Sequence, residues 1–253
     1  PYAYIRTALV VAEGNEEIQS FEDLIGKNVG VLTGSVFDVL AEKYLPGSLV
    51  KSFPQVNQEI IALRNGKIAA FLCDEPQAHM LFAECPDLAE LPRGIPCDDY
   101  AFAFSKKNAD LCRCFTEEIR KMKQDGTLAA LKGKWFSNDG KLFTMPAFRK
   151  TGKTLRFATV PELQPFSFMK DGAIVGYDIE IACLAAEKLG FDLNIVPVDA
   201  SSIIENIISG KCDILGGCVS ATKERRERVL FAEPTYDGKV VVIVRKDNSQ
   251  KTE

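Results

Sequence analysis

The 253-residue chain is 46% hydrophobic and 26% charged, which excludes intrinsic disorder and leaves apolar material for one large domain or two small ones. Its 31 Lys and Arg against 35 Asp and Glu give a net charge of −4 with no basic block, which argues against nucleic acid or an anionic membrane as partner. No apolar run reaches the roughly 18 residues of a membrane span, and a single histidine removes multi-histidine metal sites and argues against a histidine-based triad.

Strand and helix signals alternate along the chain, the α/β pattern. The chain opens at Pro1-Tyr2 on a strand-like run with neither an initiating Met nor a signal peptide, the form expected of a piece excised from a longer protein. Thr7–Ala12 is expected as a short apolar strand, and Phe21-Glu22-Asp23-Leu24 as one helical turn. Asn28–Leu32 reads as a buried strand that ends in Thr33-Gly34-Ser35 before a helix over Val36–Tyr44. Lys51–Phe53 is a short strand, Asn57–Asn65 an amphipathic helix closed by Gly66, and Ile68–Cys73 a buried strand. Asp74-Glu75-Pro76 opens a helix running to about Phe82. Ala101–Ser105 is a strand, Asn108–Gln124 a long helix stopped by Asp125-Gly126, and Leu128–Trp135 a short helix.

Lys141–Lys153, with Pro146, Gly152 and several basic residues, reads as a linker. The rhythm then restarts with a strand over Leu155–Thr159, an extended segment over Ile174–Tyr177, and a helix over Asp178–Leu189 capped by Gly190. Leu193–Pro197 is a strand, Ser202–Ser209 a helix, Cys212–Leu215 a buried strand, Thr222–Arg228 a charged helix and Val240–Val244 a strand. The two ends also repeat each other: residues 1–15 align without gaps on 234–248, each a Pro-aromatic turn, a strand and a polar loop. The eight cysteines (Cys73, Cys85, Cys97, Cys112, Cys114, Cys183, Cys212, Cys218) are not needed as a scaffold in a domain this large. Cys112 and Cys114 are too close and too isolated for a zinc site, and most of the eight are expected as small buried hydrophobes.

Several motifs go further than periodicity. Gln164-Pro165-Phe166-Ser167-Phe168, Gly176-Tyr177-Asp178-Ile179-Glu180, Gly210-Lys211-Cys212-Asp213-Ile214, Ser220-Ala221-Thr222-Lys223-Glu224-Arg225 and Phe231-Ala232-Glu233-Pro234 follow one another after Leu155. Residues 1–136 carry Leu24-Ile25-Gly26-Lys27-Asn28-Val29-Gly30-Val31, Gly34-Ser35, Ala69-Ala70-Phe71-Leu72-Cys73-Asp74, and the ending Asp125-Gly126-Thr127 to Lys134-Trp135-Phe136. These pieces resemble the periplasmic or extracellular solute-binding proteins of polar amino-acid ABC importers (family 3), with the second half of such a protein placed first. The resemblance implies an α/β fold, a two-lobed periplasmic-binding-protein-like clamshell of type II, circularly permuted or cut from tandem repeats. One lobe is expected over 15–100, carrying Gly34-Ser35 and Asp74, and the other over 105–140 plus 153–233, carrying Arg225. Residues 1–14, 101–104 and 234–248 are expected as hinge strands, with 1–15 and 234–248 competing for one position, and 141–152 as the linker.

Unaided, Arg225 reads as part of a solvated helix face with i,i+4 pairs, Asp74 as a helix N-cap, and Ser35 as an ordinary Ser cap. The resemblance assigns them a ligand. Arg225 would clamp the α-carboxylate of a free amino acid, a task that suits a planar and permanently charged guanidinium. Ser220 and Thr222 would add a backbone N–H and a hydroxyl, and Gly34, Ser35 and Val36 a second carboxylate anchor at a helix N-terminus. Asp74 would accept from the α-ammonium. Gly217, Cys218, Leu163, Phe166 and Phe37 are expected around the ligand, Cys218 reading otherwise as a buried inert thiol. Leu163 and Ala200 stand where relatives that bind cationic amino acids place aromatic rings, and Val160 where they place an acid, so a small, apolar or polar uncharged amino acid is favoured.

The resemblance implies no metal, no cofactor and no catalysis, with an ABC permease as partner and a periplasmic or extracellular location, membrane-associated as part of a larger protein. A ligand-sensing domain of a membrane-linked kinase or cyclase is the alternative. A third reading is a cyclohexadienyl-dehydratase-like enzyme using Glu162 as general acid; without the resemblance Glu162 reads as an exposed loop residue.

Overall fold

The structure is a computed structural model that describes residues 18–137, 143–148, 150 and 152–246. The expected strand Thr7–Ala12, the rest of the first copy of the repeat and part of the linker lie outside the described residues. In chain order the elements are β1 (Asn28–Leu32), α1 (Phe37–Tyr44), β2 (Leu49–Phe53), α2 (Val56–Arg64), β3 (Ala70–Asp74), α3 (Glu75–Glu84), β4 (Leu88–Glu90) and β5 (Ile95–Pro96). There follow β6 (Ala103–Phe104), α4 (Ala109–Gln124), α5 (Thr127–Trp135), β7 (Thr154–Thr159), β8 (Glu162–Leu163), β9 (Ser167–Lys170), β10 (Ala173–Val175) and α6 (Tyr177–Lys188). The last are β11 (Asp192–Pro197), α7 (Ile203–Ile208), β12 (Ile214–Leu215), α8 (Lys223–Arg228), β13 (Leu230–Phe231) and β14 (Lys239–Arg245). The chain divides into two compact units. Among the described residues one comprises 18–96 and 240–246, the other 97–239, so the chain passes between them twice.

The first unit is built on one sheet in the order β2-β1-β3-β14-β4, with β5 also on β14. β2, β1 and β3 run parallel, as strands separated by helices must. β14 arrives from the far end of the sequence and enters antiparallel, Val241 opposite Cys73 and Val244 opposite both Ala70 and Ala89. Its Val-Val-Val-Ile-Val run is buried at every position, the pattern of a central strand covered on both faces. Val240–Val244 thus fills the place for which the sequence offered two strands. Beneath this sheet α2 turns Glu59 inward, where it is 1% exposed, and its Oε1 has no hydrogen-bond partner. Burial pushes that carboxyl up to about 9.

The second unit carries the sheet β11-β7-β12-β6-β13, in which β11, β7 and β12 are parallel and β6 is antiparallel to both its neighbours. A small antiparallel sheet, β10-β9-β8, stands beside it. α4 is amphipathic: Cys112, Phe115, Ile119 and Met122 recur at helical spacing and face the core. Asp125 Oδ1 accepts from Thr127 N at 2.9 Å, and α5 begins there. α5 is fastened to α6 through one buried acid. Glu180, 5% exposed, accepts from Trp135 Nε1 and Lys134 Nζ, each at 2.6 Å. The residues read as a linker contribute as well: Phe143 stacks on Trp135 at 5.3 Å and its carbonyl accepts from Lys170 Nζ.

Sequence and structure agree on the helices and the long strands to within a few residues. β4, β5, β8 and β13 are strands of two or three residues, too short to show an alternating pattern.

Two outcomes follow from the buried acids. Glu180→Ala leaves the indole N–H of Trp135 buried without an acceptor and should lower unfolding stability by about 2–4 kcal/mol. Emission of this single tryptophan in a urea titration reads the loss directly. For Glu59, the folded chain keeps its proton between pH 4.5 and about 9 while the unfolded chain releases it. Its contribution therefore falls as pH rises, by up to about 1.4 kcal/mol per pH unit. Urea midpoints compared from pH 5 to 8 should decline less steeply for Glu59→Gln than for wild type.

Candidate functional site

The residues singled out from the sequence fall into two groups, one in each unit. In the second unit they converge on the loop between β12 and α8. Gly217 and Cys218 both have left-handed backbones, with φ of 92° and 60°. Glycine is required at the first: a Cβ there would lie 2.2 Å from Thr159 Oγ1. Thr159 and Ser167 form the polar floor beneath it, Thr159 Oγ1 donating to Ser167 Oγ and Ser167 Oγ to Val160 O, each at 2.7 Å. Both adjacent amides of the turn point at one acid. Gly217 N and Cys218 N donate to Asp178 Oδ2 at 3.0 and 2.9 Å.

Beyond the turn the loop lies along the strand segment that leads into β6. Ala101 N donates to Val219 O at 3.1 Å and Ala221 N to Asp99 O at 2.9 Å. Thr222 is the N-cap of α8, its Oγ1 accepting from Arg225 N at 3.2 Å. The half-buried Arg225 reaches back, its Nη1 donating to Ser220 O at 3.2 Å. Ser220 Oγ lies 3.5 Å from Cys97 Sγ. Ser220, Thr222, Cys218, Gly217 and Arg225 thus belong to one loop, and its geometry turns an arginine and a serine carbonyl toward each other.

The other two residues named in this unit are apolar. Leu163 is buried on β8, and Phe166 lies wholly inside a cluster with Tyr100, Phe136, Tyr177 and Tyr236. Val160 is buried as well. Glu162 belongs to β8 rather than to a loop, and partial burial, then the Asp199 carboxylate, hold its carboxyl above the ordinary range.

In the first unit Asp74 ends β3 and stands at the N-cap of α3, yet its side chain makes no capping hydrogen bond. The N-cap reading therefore holds for the backbone only. Its carboxylate is 6% exposed, and the amino end of α3 offsets part of the cost of that burial. Burial, with Asp74, Glu59 and Glu90 adding to it, pushes the neighbouring Cys73 thiol far up, the condition of an inert thiol. Ser35 stands one residue before the N-cap of α1, its Oγ accepting from Phe37 N at 3.1 Å and donating to Leu32 O at 2.6 Å. Gly34, with φ 82°, turns the chain between β1 and α1, Val36 is the backbone N-cap of α1, and Phe37 is buried beneath it.

Sequence reasoning gave no role to Asp178, Thr235 or Glu180. Asp178 and Glu180 lie in the Gly-Tyr-Asp-Ile-Glu motif, and the available signal was an alternation of acids and apolar residues at the start of a helix that is otherwise apolar.

The L-cystine-binding protein TcyJ of Escherichia coli (strain K12) is 33% identical over 141 residues, 55% of this chain and 53% of that protein. A probable histidine-binding protein of Campylobacter jejuni is 34% identical over 98 residues, 39% of this chain and 38% of that one. Cyclohexadienyl dehydratase of Pseudomonas aeruginosa is 31% identical over 90 residues, 35% and 34% of the two chains. The chain therefore spans about half the length, or less, of these curated relatives. The profile of bacterial extracellular solute-binding proteins, family 3, matches residues 1–138 and 155–252. Those two stretches take in nearly all of the sequence, and the chain belongs to that family.

Proposed function

We propose that the chain binds one free amino acid and presents it to an ABC permease. In this reading the Arg225 guanidinium takes the α-carboxylate, assisted by Ser220, Thr222 and the amides around Gly34-Ser35-Val36, while Asp74 takes the α-ammonium. The observation that carries it is the segment from Gly217 to Arg225, in which a left-handed turn leads into the capped helix α8 and Arg225 reaches back to Ser220 O. Asp74, a nearly buried carboxylate at the end of β3, is the acid that this reading gives to the α-ammonium. The buried, apolar Val160 and Leu163 favour a small, apolar or polar uncharged side chain over a cationic one.

The order of the pieces belongs to the same proposal. We read the chain as a family member with its halves in permuted order, a circular permutant or a segment cut from tandem repeats, with residues 15–100 as the second lobe of the pattern and 105–140 plus 153–233 as the first. β14, from the far end of the sequence, completes the sheet of the first unit beside β3, and the ungapped repeat of 1–15 on 234–248 gives the chain two sequences suited to that one position. The location follows from the family, whose members are extracellular. No helix among the described residues is long and apolar enough to cross a membrane.

A dehydratase reading has one observation behind it, the raised carboxyl of Glu162 together with the dehydratase relative. Release of an aromatic product from a cyclohexadienyl acid, lost in Glu162→Gln, would favour it over binding alone.

The test of the binding reading is a thermal-shift panel of the twenty common L-amino acids and L-cystine. Ligand at about 100 times its dissociation constant adds roughly 2.7 kcal/mol, which moves a chain of this size by about 5–10 °C. One class of amino acid should raise Tm in wild type and in neither Arg225→Ala nor Asp74→Ala. A cooperative wild-type transition that none of them moves would refute the reading.

A further inference from the structure

Asp178 is 2% exposed, on the first turn of α6, and among the described residues no ionised side chain acts on it. An isolated carboxylate in that position is costly unless its oxygens are well satisfied. Its Oδ2 receives two consecutive backbone amides, Gly217 N and Cys218 N, at 3.0 and 2.9 Å. Consecutive amides turned to one side by a left-handed backbone form a concave anion cradle, and here a side chain of the same unit occupies it. Thr235 Oγ1 lies 3.3 Å from both Asp178 Oδ1 and Tyr100 O. The loop has reason to need such a clamp. Cys218 is a non-glycine residue at φ 60°, a left-handed conformation that an L side chain adopts only under strain. Charge-assisted hydrogen bonds of this length can offset that strain.

The helix itself is held in register by its own entry. Gly176 has φ 141°, and a Cβ there would lie 2.3 Å from Phe166 O, so only glycine admits the chain to α6 at this point. Tyr177 N and Asp178 N then donate to Pro165 O and Phe166 O at 2.9 and 3.1 Å. The acid is thus fixed from behind and the turn is fixed by the acid.

We propose that Asp178 is the positioning residue of the ligand loop, holding the Gly217–Cys218 turn from beneath so that Ser220 and Arg225 are aimed at the amino acid. This rests on the binding reading above, and Asp178 itself does not touch the ligand. The coupling runs along the backbone: the turn sets the path of Val219 and Ser220, which are fastened to the 99–101 segment, and Ser220 O in turn receives Arg225 Nη1. A protonated carboxyl is a weaker acceptor than the ionised one, so the turn loosens as Asp178 gains its proton. Burial raises the group to about 6, against the pull of the amides and of Thr235. Asp178 is therefore mostly ionised and gripping at neutral pH, and it lets go as pH falls below that value. The titratable groups in its surroundings are Tyr177 on its own helix and, beside that phenol, Tyr236 and Asp237 from the segment before β14. The Tyr177 phenol, raised mainly by its own burial, stays protonated throughout this range.

The experiment uses the full chain, labelled with ¹⁵N and free of ligand, from pH 8 to 5. The amide protons of Gly217 and Cys218 should titrate together with a midpoint near 6, and in Asp178→Asn that titration should vanish. Calorimetry with each of the twenty common L-amino acids and L-cystine completes the test. Any that binds wild type at pH 7.5 should bind Asp178→Asn at least tenfold more weakly. Wild-type affinity should fall by a similar factor on going to pH 5, while that of the variant should stay nearly level. An amide titration that persists in Asp178→Asn, or a variant that binds as wild type does, overturns the proposal. If Asp178→Asn does not fold, Thr235→Val serves instead: losing a bond to the ionised form should move the amide midpoint upward, and an unmoved midpoint counts against the clamp. If no amino acid binds wild type, the binding reading falls, and the ligand-free titration still decides whether Asp178 holds the turn.

Discussion

Two carboxylates in the first turn of one helix organise the second unit. Asp178 and Glu180 are two residues apart on α6, so they leave the helix on nearly opposite sides. Glu180 reaches α5 and takes the indole N–H of Trp135 with the Lys134 ammonium, while Asp178 reaches the turn after β12 and takes two backbone amides. The amino end of the helix favours negative charge at both. Were either acid removed, buried donors would lose their acceptor, and that cost exceeds the modest net value of an ordinary hydrogen bond. The aromatic core around Phe166, Tyr177 and Phe136 supplies most of the burial, but burial alone does not choose a loop conformation. The two acids do.

In the first unit the constraint is a strand rather than a charge. β14 is bonded to β3 on one side and β4 on the other, five hydrophobic residues from the far end of the chain buried in the middle of a sheet. Its entry makes the sheet of residues 18–96 depend on a segment more than 140 positions away in sequence.

How far the sequence carried the argument follows from these two cases. Elements with strong period, such as α4 with its apolar stripe and β1 with its unbroken apolar run, were legible because one side of each meets the core. Gly34, Gly126 and Gly190 marked chain turns with φ of 82°, 86° and 78°, as a break in period followed by glycine implies. Ser35 was read as a cap, and its Oγ does accept from Phe37 N, one residue ahead of the N-cap Val36; Thr222, read only as the start of a helix, caps α8. Asp178 was not legible in the same way. Its role depends on a turn 39 residues downstream, and no local pattern announces which acid will meet which pair of amides. The stacking of Phe143 on Trp135 was not legible for a related reason: nothing local in the basic, proline-containing stretch announces which ring it meets.

The central claim, proposed above, is that one free amino acid meets Arg225 and Ser220 and also Asp74 and the amides of Gly34-Ser35-Val36. A titration of the ¹⁵N-labelled chain with the amino acid that most raises its melting temperature tests this most directly. The account predicts that amides of residues 217–225 and of residues 33–37 and 74 shift together along one binding curve with one Kd. Shifts confined to one group, or two groups moving with different Kd values, would contradict it.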